Sequence, residues 1–413
     1  MIDLKELLSS EEDNIWRRNL IILCLAQFIA LIGMSGVFPF LPLYVRELGI
    51  TDSEEAKFWS GMVFAGTYIS AVIMIPIWGS LGDKYGRKFM TVRAIFGLSL
   101  SVVLMAFAQD VYQLFFLRVL QGTMSGMIAS SLAFVSANTP EEKSGFAIGW
   151  LQSSIAAGQV FGPFFGGLMA DFFGVRYVFV IVGIFCAVAA VIVLLMLVEK
   201  NFEPRKDKMY GIVWNIKYIF REKVFLRLMI LIVLVQAGIQ FTIPIFTYFV
   251  EEKGAPEDLL ATVTGILFGI IAIFNITFAP KWGRRNDEKI WQKTLKVAAG
   301  IAGLMYLFHI FAPNFYYLLP LRAVIGVFYA ALIPTLYSAL SKRAAPQQKG
   351  GIMGLASGAN LLGSLISFLL AGVVSSMFNM EMNFIISFVL LTIVAIISHF
   401  APMDKYQKKA LAK

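Results

Sequence analysis

Long apolar runs alternate with short polar stretches along almost the whole chain. The runs are roughly 18–25 residues long, the length at which an α-helix crosses a bilayer. The pattern predicts about twelve spanning helices, over 17–45, 58–78, 91–109, 112–136, 144–170, 175–198, 227–250, 259–280, 294–311, 315–340, 350–377 and 381–401. Membrane-spanning strands alternate polar and apolar residues, which these runs do not, so an outer-membrane barrel is excluded. The stretch from Glu199 to Arg227 is the only long polar interruption. It divides the chain into a first bundle over 1–198, a linker over 199–226 and a second bundle over 227–413. Within the linker, Trp214, Ile216, Tyr218 and Ile219 predict a short amphipathic helix on the membrane surface. The fold class is therefore all-α: a polytopic membrane protein with two six-helix bundles.

Composition strengthens this picture. Of 413 residues, 58% are hydrophobic and only 15% charged, against roughly 25% charged in a soluble domain. The net charge of +9 does not point to nucleic acid, because the basic residues gather in loops on one side. That side holds Arg17, Arg18, Lys84, Arg87, Lys88, Lys143, the linker, Lys281, Arg284, Arg285, Lys342, Arg343, Lys349 and the tail Lys405, Lys408 and Lys409. The other side holds only Arg46, Lys57, Arg176 and Lys253, among many acids. Basic loops stay inside, so both termini and the linker are expected in the cytoplasm, with the protein in the inner membrane. Cys24 and Cys186 sit inside apolar runs and suggest neither a disulfide nor a metal site. The polar, acidic start, Met1 to Asn14, does not read as a cleavable signal peptide.

The two halves repeat. At an offset of 204, Gly61 meets Gly265, Pro76 meets Pro280, Trp78 meets Trp282, Gly79 meets Gly283, Asp83 meets Asp287 and Arg118 meets Arg322. At 205, Pro39 meets Pro244, Gly158 meets Gly363 and Gly167 meets Gly372. Glycine, proline, tryptophan and charge matching in one register indicate a duplicated six-helix unit, whose two copies can rock around a shared site.

Three motifs stand in the first half. Gly79-Ser80-Leu81-Gly82-Asp83-Lys84-Tyr85-Gly86-Arg87-Lys88 is a charged, glycine-rich turn between the second and third spans. Arg118, in Leu117-Arg118-Val119-Leu120-Gln121-Gly122, lies inside the fourth span on a face of small and polar residues. An embedded arginine costs a few kcal/mol unless it faces protein or water. Gly158-Gln159-Val160-Phe161-Gly162-Pro163-Phe164-Phe165-Gly166-Gly167 supplies small residues for close helix crossing and a proline that frees a backbone carbonyl. These motifs resemble those of the major facilitator superfamily, and the third resembles the fifth-helix signature of its drug:proton antiporter branch. The resemblance, extended by the repeat over nearly the whole chain, implies two six-helix bundles related by a pseudo-two-fold axis. It implies a gating loop at Gly79, Asp83, Gly86, Arg87 and Lys88, and a role for Arg118 in proton coupling or substrate charge, with Arg322 at the related place. It implies an antiporter-type helix motif at Gly158, Gly162, Pro163, Gly166 and Gly167. The second half has Ile290, Trp291 and Gln292 where Gly86, Arg87 and Lys88 stand, so a second latch should be weak.

No span carries a carboxylate near its middle, which cation-exporting relatives often have. Gln27, Gln121, Gln236 and Gln240 are the candidate polar lining of a cavity. No Walker sequence, paired-histidine metal site or nucleophile elbow occurs, so the protein is not expected to be an enzyme or to hold a cofactor or metal. The expected activity is proton-coupled efflux of amphipathic or anionic small molecules. The alternative is import or facilitated passage of a metabolite such as a sugar or organic acid. The expected partners are a small-molecule substrate, protons and membrane lipid, with the chain acting as a monomer.

Overall fold

A computed structural model describes residues 15–199, 212–288, 291–345 and 348–401. Among them there are helices and no strands. In chain order they are α1 (Ile15–Gly36), α2 (Leu41–Glu47), α3 (Ser53–Tyr85), α4 (Arg87–Met105), α5 (Val111–Thr123), α6 (Met127–Asn138), α7 (Glu141–Phe173) and α8 (Val175–Met196). They continue with α9 (Ile212–Arg221), α10 (Lys223–Gln240), α11 (Phe246–Glu252), α12 (Leu260–Glu288), α13 (Trp291–Ile310), α14 (Leu318–Arg343), α15 (Lys349–Met377) and α16 (Glu381–Phe400).

Ten helical segments among the described residues are long and apolar enough to cross a membrane. Helices α7 and α13, 33 and 20 residues long, account for the fifth and ninth expected spans. Both are more polar: α13 carries Lys293 and Lys296, and α7 carries Gln152, Ser153, Ser154 and Gln159. Three spans are interrupted. The first breaks between α1 and α2 before Pro42, the seventh between α10 and α11 at a 3-10 turn holding Pro244, and the fourth between α5 and α6 at Gly126. The prolines deny the helix an amide donor, and Gly126, at φ 109°, takes a conformation open mainly to glycine.

The chain divides into two compact units. Unit 1 is Met1–Gly49, Ile69–Lys206 and Asp258–Gly269; unit 2 is Ile50–Tyr68, Asp207–Glu257 and Ile270–Lys413. In unit 1, α1 packs on α7 and α8, and α4 on α8 and the α5–α6 pair. In unit 2, α10 packs on α15 and α16, and α13 on α14 and α16. The repeat read from the sequence predicts this correspondence, and single contacts repeat with it. Trp78 Nε1 donates to the Thr123 carbonyl and Trp282 Nε1 to the Val327 carbonyl, both at 2.7 Å. A Cβ on Gly158 would stand 2.8 Å from the Phe28 carbonyl, and one on Gly363 2.6 Å from the Val233 carbonyl. Both glycines let two helix backbones touch, the device by which helices associate where lipid offers no hydrophobic drive.

The amphipathic linker helix is present as α9, with Trp214 stacked on Tyr218, Ile219 buried and Phe220 exposed. Lys200, Arg205, Lys206 and Lys208 of the linker, the tail lysines and Met1 to Asn14 lie outside the described residues.

Candidate functional site

The glycine-rich motif is mostly helix. Gly79, Gly82 and Asp83 belong to α3, which runs on to Tyr85. The turn expected over the whole motif shrinks to one residue, Gly86, at φ 97° and ψ 149°. Glycine is tolerated within a helix at a modest cost of ~1 kcal/mol, so Gly79 and Gly82 did not have to break it. The side chains of Asp83 and Asp287 are outside the described residues.

Gly86 sets the start of α4. The amides of Arg87 and Lys88, which no helical carbonyl can accept, donate to Glu199 Oε1 and Oε2 at 2.9 and 3.0 Å. A carboxylate at this position also meets the positive end of the helix dipole. A Cβ on Gly86 would lie 3.0 Å from Glu199 Oε2, so the cap needs glycine for space as well as for φ. The first residue of the polar linker is thereby tied to the glycine-rich motif. Sequence reasoning placed Glu199 at a boundary and gave it no role.

Next to this motif the broken fourth span is held by a second device. Arg93 lies over the Trp78 ring with its guanidinium carbon 3.7 Å from the centroid. It donates to the Met124 carbonyl at 3.2 Å and the Ser125 carbonyl at 2.7 Å. With Trp78 on Thr123, three consecutive carbonyls released by the break are each taken by a side chain. The repeat-related helix α14 is unbroken, and Val297 and Ala330 stand where Arg93 and Gly126 do. An open cleft lies among Trp78, Gly82, Arg87, Met90, Arg93 and Ser130. Arg93 is a third embedded cation, missed because it stands close to the end of its span.

Arg118 and Arg322 are both buried, at 5% and 2% exposure. Arg118 Nη1 donates to Gln121 Oε1 at 2.9 Å, so the predicted helical neighbour is its partner. Arg322 places its guanidinium carbon 3.4 Å from the centre of the Phe246 ring. Near it, the buried His309 gives Nδ1 to the Met305 carbonyl and packs beside Tyr306 and Phe384. Gln27 is buried and donates to the Met127 carbonyl at 3.2 Å and to Ser131 Oγ. Gln236 is buried and donates to Ser364 Oγ at 3.0 Å. Gln240, at the end of α10, is half-buried. Gln27 and Gln236 thus bind helices together within their own units.

The glycines of the fifth-span motif face α1 and the start of α12. Gly162 meets Ser35 and the Ile32 carbonyl, Gly166 meets Gly36, and Gly167 meets Ala261, each with no room for a methyl group. Pro163 stays within a continuous α7. The motif's small residues therefore serve backbone contact, as the sequence implies.

A family model described as Major Facilitator Superfamily matches residues 23–314 and 292–412. The chain is 32% identical over 346 residues to the multidrug resistance protein MdtG of Proteus mirabilis (strain HI4320), covering 82% of this chain and 85% of that protein. Among solved structures it is similar to a bacterial homolog of the human lysosomal transporter Spinster, with a TM-score of 0.78 at 14% identity, covering 97% of this chain and 99% of that one. It is also similar to a D-xylose–proton symporter, with a TM-score of 0.72 at 16% identity, covering 94% and 98%.

Proposed function

This chain belongs to the Major Facilitator Superfamily, as a multi-pass membrane transporter of the drug:proton branch, and we propose that it exports amphipathic small molecules in exchange for protons. The observation that carries the direction of transport is the likeness to MdtG proteins over most of both chains, together with the fifth-span motif. The same fold in a D-xylose–proton symporter supports import of a metabolite as the second reading. The basic-loop asymmetry supports an inner-membrane location with cytoplasmic termini.

The proposed cycle uses the duplicated architecture. Two similar bundles expose one site to either side of the membrane in turn. The Glu199 cap and Gly86 fix α4 relative to the linker, so the gating motif moves with the start of the linker. The break at Gly126 lets α5, which carries Arg118, move relative to α6, while Trp78 and Arg93 hold the freed carbonyls. The related tenth span has one of these holding contacts and no break.

Substrate charge follows from the embedded groups. The spans hold Arg93, Arg118 and Arg322 and no mid-span carboxylate. A lipophilic cation there meets like charge at short range in a low dielectric, a repulsion of several kcal/mol. An anionic or zwitterionic compound meets a guanidinium fork when the cycle opens Arg118 to the site. The test is transport of matched anionic and cationic compounds by proteoliposomes under an imposed pH gradient. Arg118→Ala should cut anion transport at least tenfold, and Arg118→Lys should restore part of it. Robust exchange of a quaternary ammonium ion, indifferent to Arg118→Ala, would overturn the charge assignment.

A further inference from the structure

Helices α3 and α12 occupy related places in the repeat, yet their first turns are capped in different ways. Helix α3 caps itself: Asp52 Oδ1 accepts from the Glu55 amide at 2.8 Å. At the related position, 204 residues on, stands Pro256, and α12 begins only at Leu260, after a 3-10 turn over Glu257–Leu259; the residue before it, Leu259, has no capping oxygen in its side chain. The free amides at the start of α12 are taken instead by Asp171, from the last turn of α7. Its Oδ1 accepts from the Ala261 amide at 3.2 Å and its Oδ2 from the Thr262 amide at 2.6 Å. Both carboxylate oxygens are engaged, in a charge-assisted contact with the positive end of a 29-residue helix.

The contact sits on a backbone crossing within unit 1. Gly167 leaves room for the Ala261 carbonyl, and Gly265 leaves room for the Pro163 carbonyl. Unit 2 holds the related crossing, in which a Cβ on Gly61 would stand 2.6 Å from Gly372 Cα. There the residue matching Asp171 is Ser376, and it donates to the Val373 carbonyl of its own helix. The backbone crossings are thus duplicated, and the carboxylate cap is not.

We infer that Asp171 is a latch on the outer side of the transporter, a positioning residue of the cycle that makes a well-formed start of α12 conditional on α7 lying against it. The inference rests on the proposed two-bundle cycle, in which α7 belongs to the first six-helix half and α12 to the second. Opening toward the outside draws the two apart. The cap bonds then break, and Leu259, the residue before α12, offers no local replacement. The outside-closed state is favoured by the difference. The related crossing of α3 carries no such dependence, because Asp52 moves with its own helix.

The test reads the conformational equilibrium without substrate. Spin labels are placed on cysteines at Phe173 and Glu257, both exposed, in a full-length protein lacking Cys24 and Cys186, and the label distances are measured in lipid. Asp171→Ala removes two charge-assisted bonds made only in the outside-closed state, and should raise the ratio of long to short distances at least tenfold. Asp171→Asn keeps one acceptor oxygen and should shift it less, in the same direction. The double variant Asp171→Ala with Leu259→Asp supplies a local cap, and should recover thermal stability while keeping the raised fraction of long distances. Unchanged distances in Asp171→Ala, or in Asp171→Asn should the alanine variant not fold, would overturn the latch. Return of the short distance in the double variant would do so too, since the cap would then serve only the helix. The distances are independent of what is transported. A latch that behaves as stated in a protein that moves no drug would remove the substrate assignment alone.

Discussion

Gly86→Ala tests the structure of the glycine-rich motif against its own neighbour. The native backbone at Gly86 has φ 97° and ψ 149°, a region almost confined to glycine, and placing alanine there costs about 1–3 kcal/mol. The new methyl would sit 3.0 Å from Glu199 Oε2, tighter than carbon and oxygen normally approach. Glu199 must then shift by a few tenths of an ångström and loosen its hold on the amides of α4; full loss of a helix cap costs about 1 kcal/mol. The two effects together amount to about 2–4 kcal/mol. For a unit of 150–250 residues each kcal/mol lowers Tm by about 2–4 °C, so a fall of roughly 5–15 °C is expected in a fluorescence melt of the detergent-solubilised protein. Glu199→Ala removes the cap without the backbone strain and should fall between wild type and Gly86→Ala. Gly79→Ala is the control. A Cβ there meets nothing within 4 Å, the site is helical, and alanine is favoured over glycine in a helix by about 0.5–1 kcal/mol. Its melting point should hold or rise. Equal losses at the two glycines, or the larger loss at Gly79, would refute the reasoning that one residue forms the turn.

The holding contacts at the broken fourth span predict a further asymmetry. Arg93→Leu removes both guanidinium bonds and the stack on Trp78 and should lower the melting point by several degrees. Val297→Ala, at the related and exposed position of the second half, should leave it within about 1 °C, since surface changes stay within ±0.5 kcal/mol; equal effects would mean that the arginine is not what holds the break. For orientation, a cysteine introduced at Lys206 should resist an impermeant thiol reagent in intact cells and one at Glu252 should react. Labelling in the reverse pattern would contradict the cytoplasmic placement of the linker.

The periodic features of this fold could be read from the chain because they are local. Span lengths follow from runs of apolar residues. The duplication was legible because Trp78 with Trp282 and Gly158 with Gly363 serve the same contacts, and a tryptophan donor or a backbone approach leaves few substitutes. The interruptions were less visible. Gly79 and Gly82 read as turn residues and are helical, while Gly126 reads as part of a helical span and breaks one. A glycine permits both conformations, and tertiary packing decides between them. The polar anchors could not be read at all. Glu199 binds amides 111 and 112 positions away, Asp171 binds amides 90 and 91 positions away, and Arg93 reaches carbonyls 31 and 32 positions on. In each case the partner is a backbone group, which carries no residue type for a sequence to reveal. The repeat itself carries one further signal: Asp52, which caps α3, is matched by Pro256, and α12 begins only four residues later, at Leu260.

Proton-driven export is the central claim, and accumulation of labelled compounds tests it most directly. Cells with and without the protein would be loaded with a panel of anionic, zwitterionic and cationic amphipathic compounds, with and without a proton uncoupler. Proton-driven export predicts lower accumulation of the anionic and zwitterionic members in cells that make the protein, and loss of that difference when the uncoupler is added. Higher accumulation of a panel member or of a sugar in those cells, or a difference that survives the uncoupler, would contradict it.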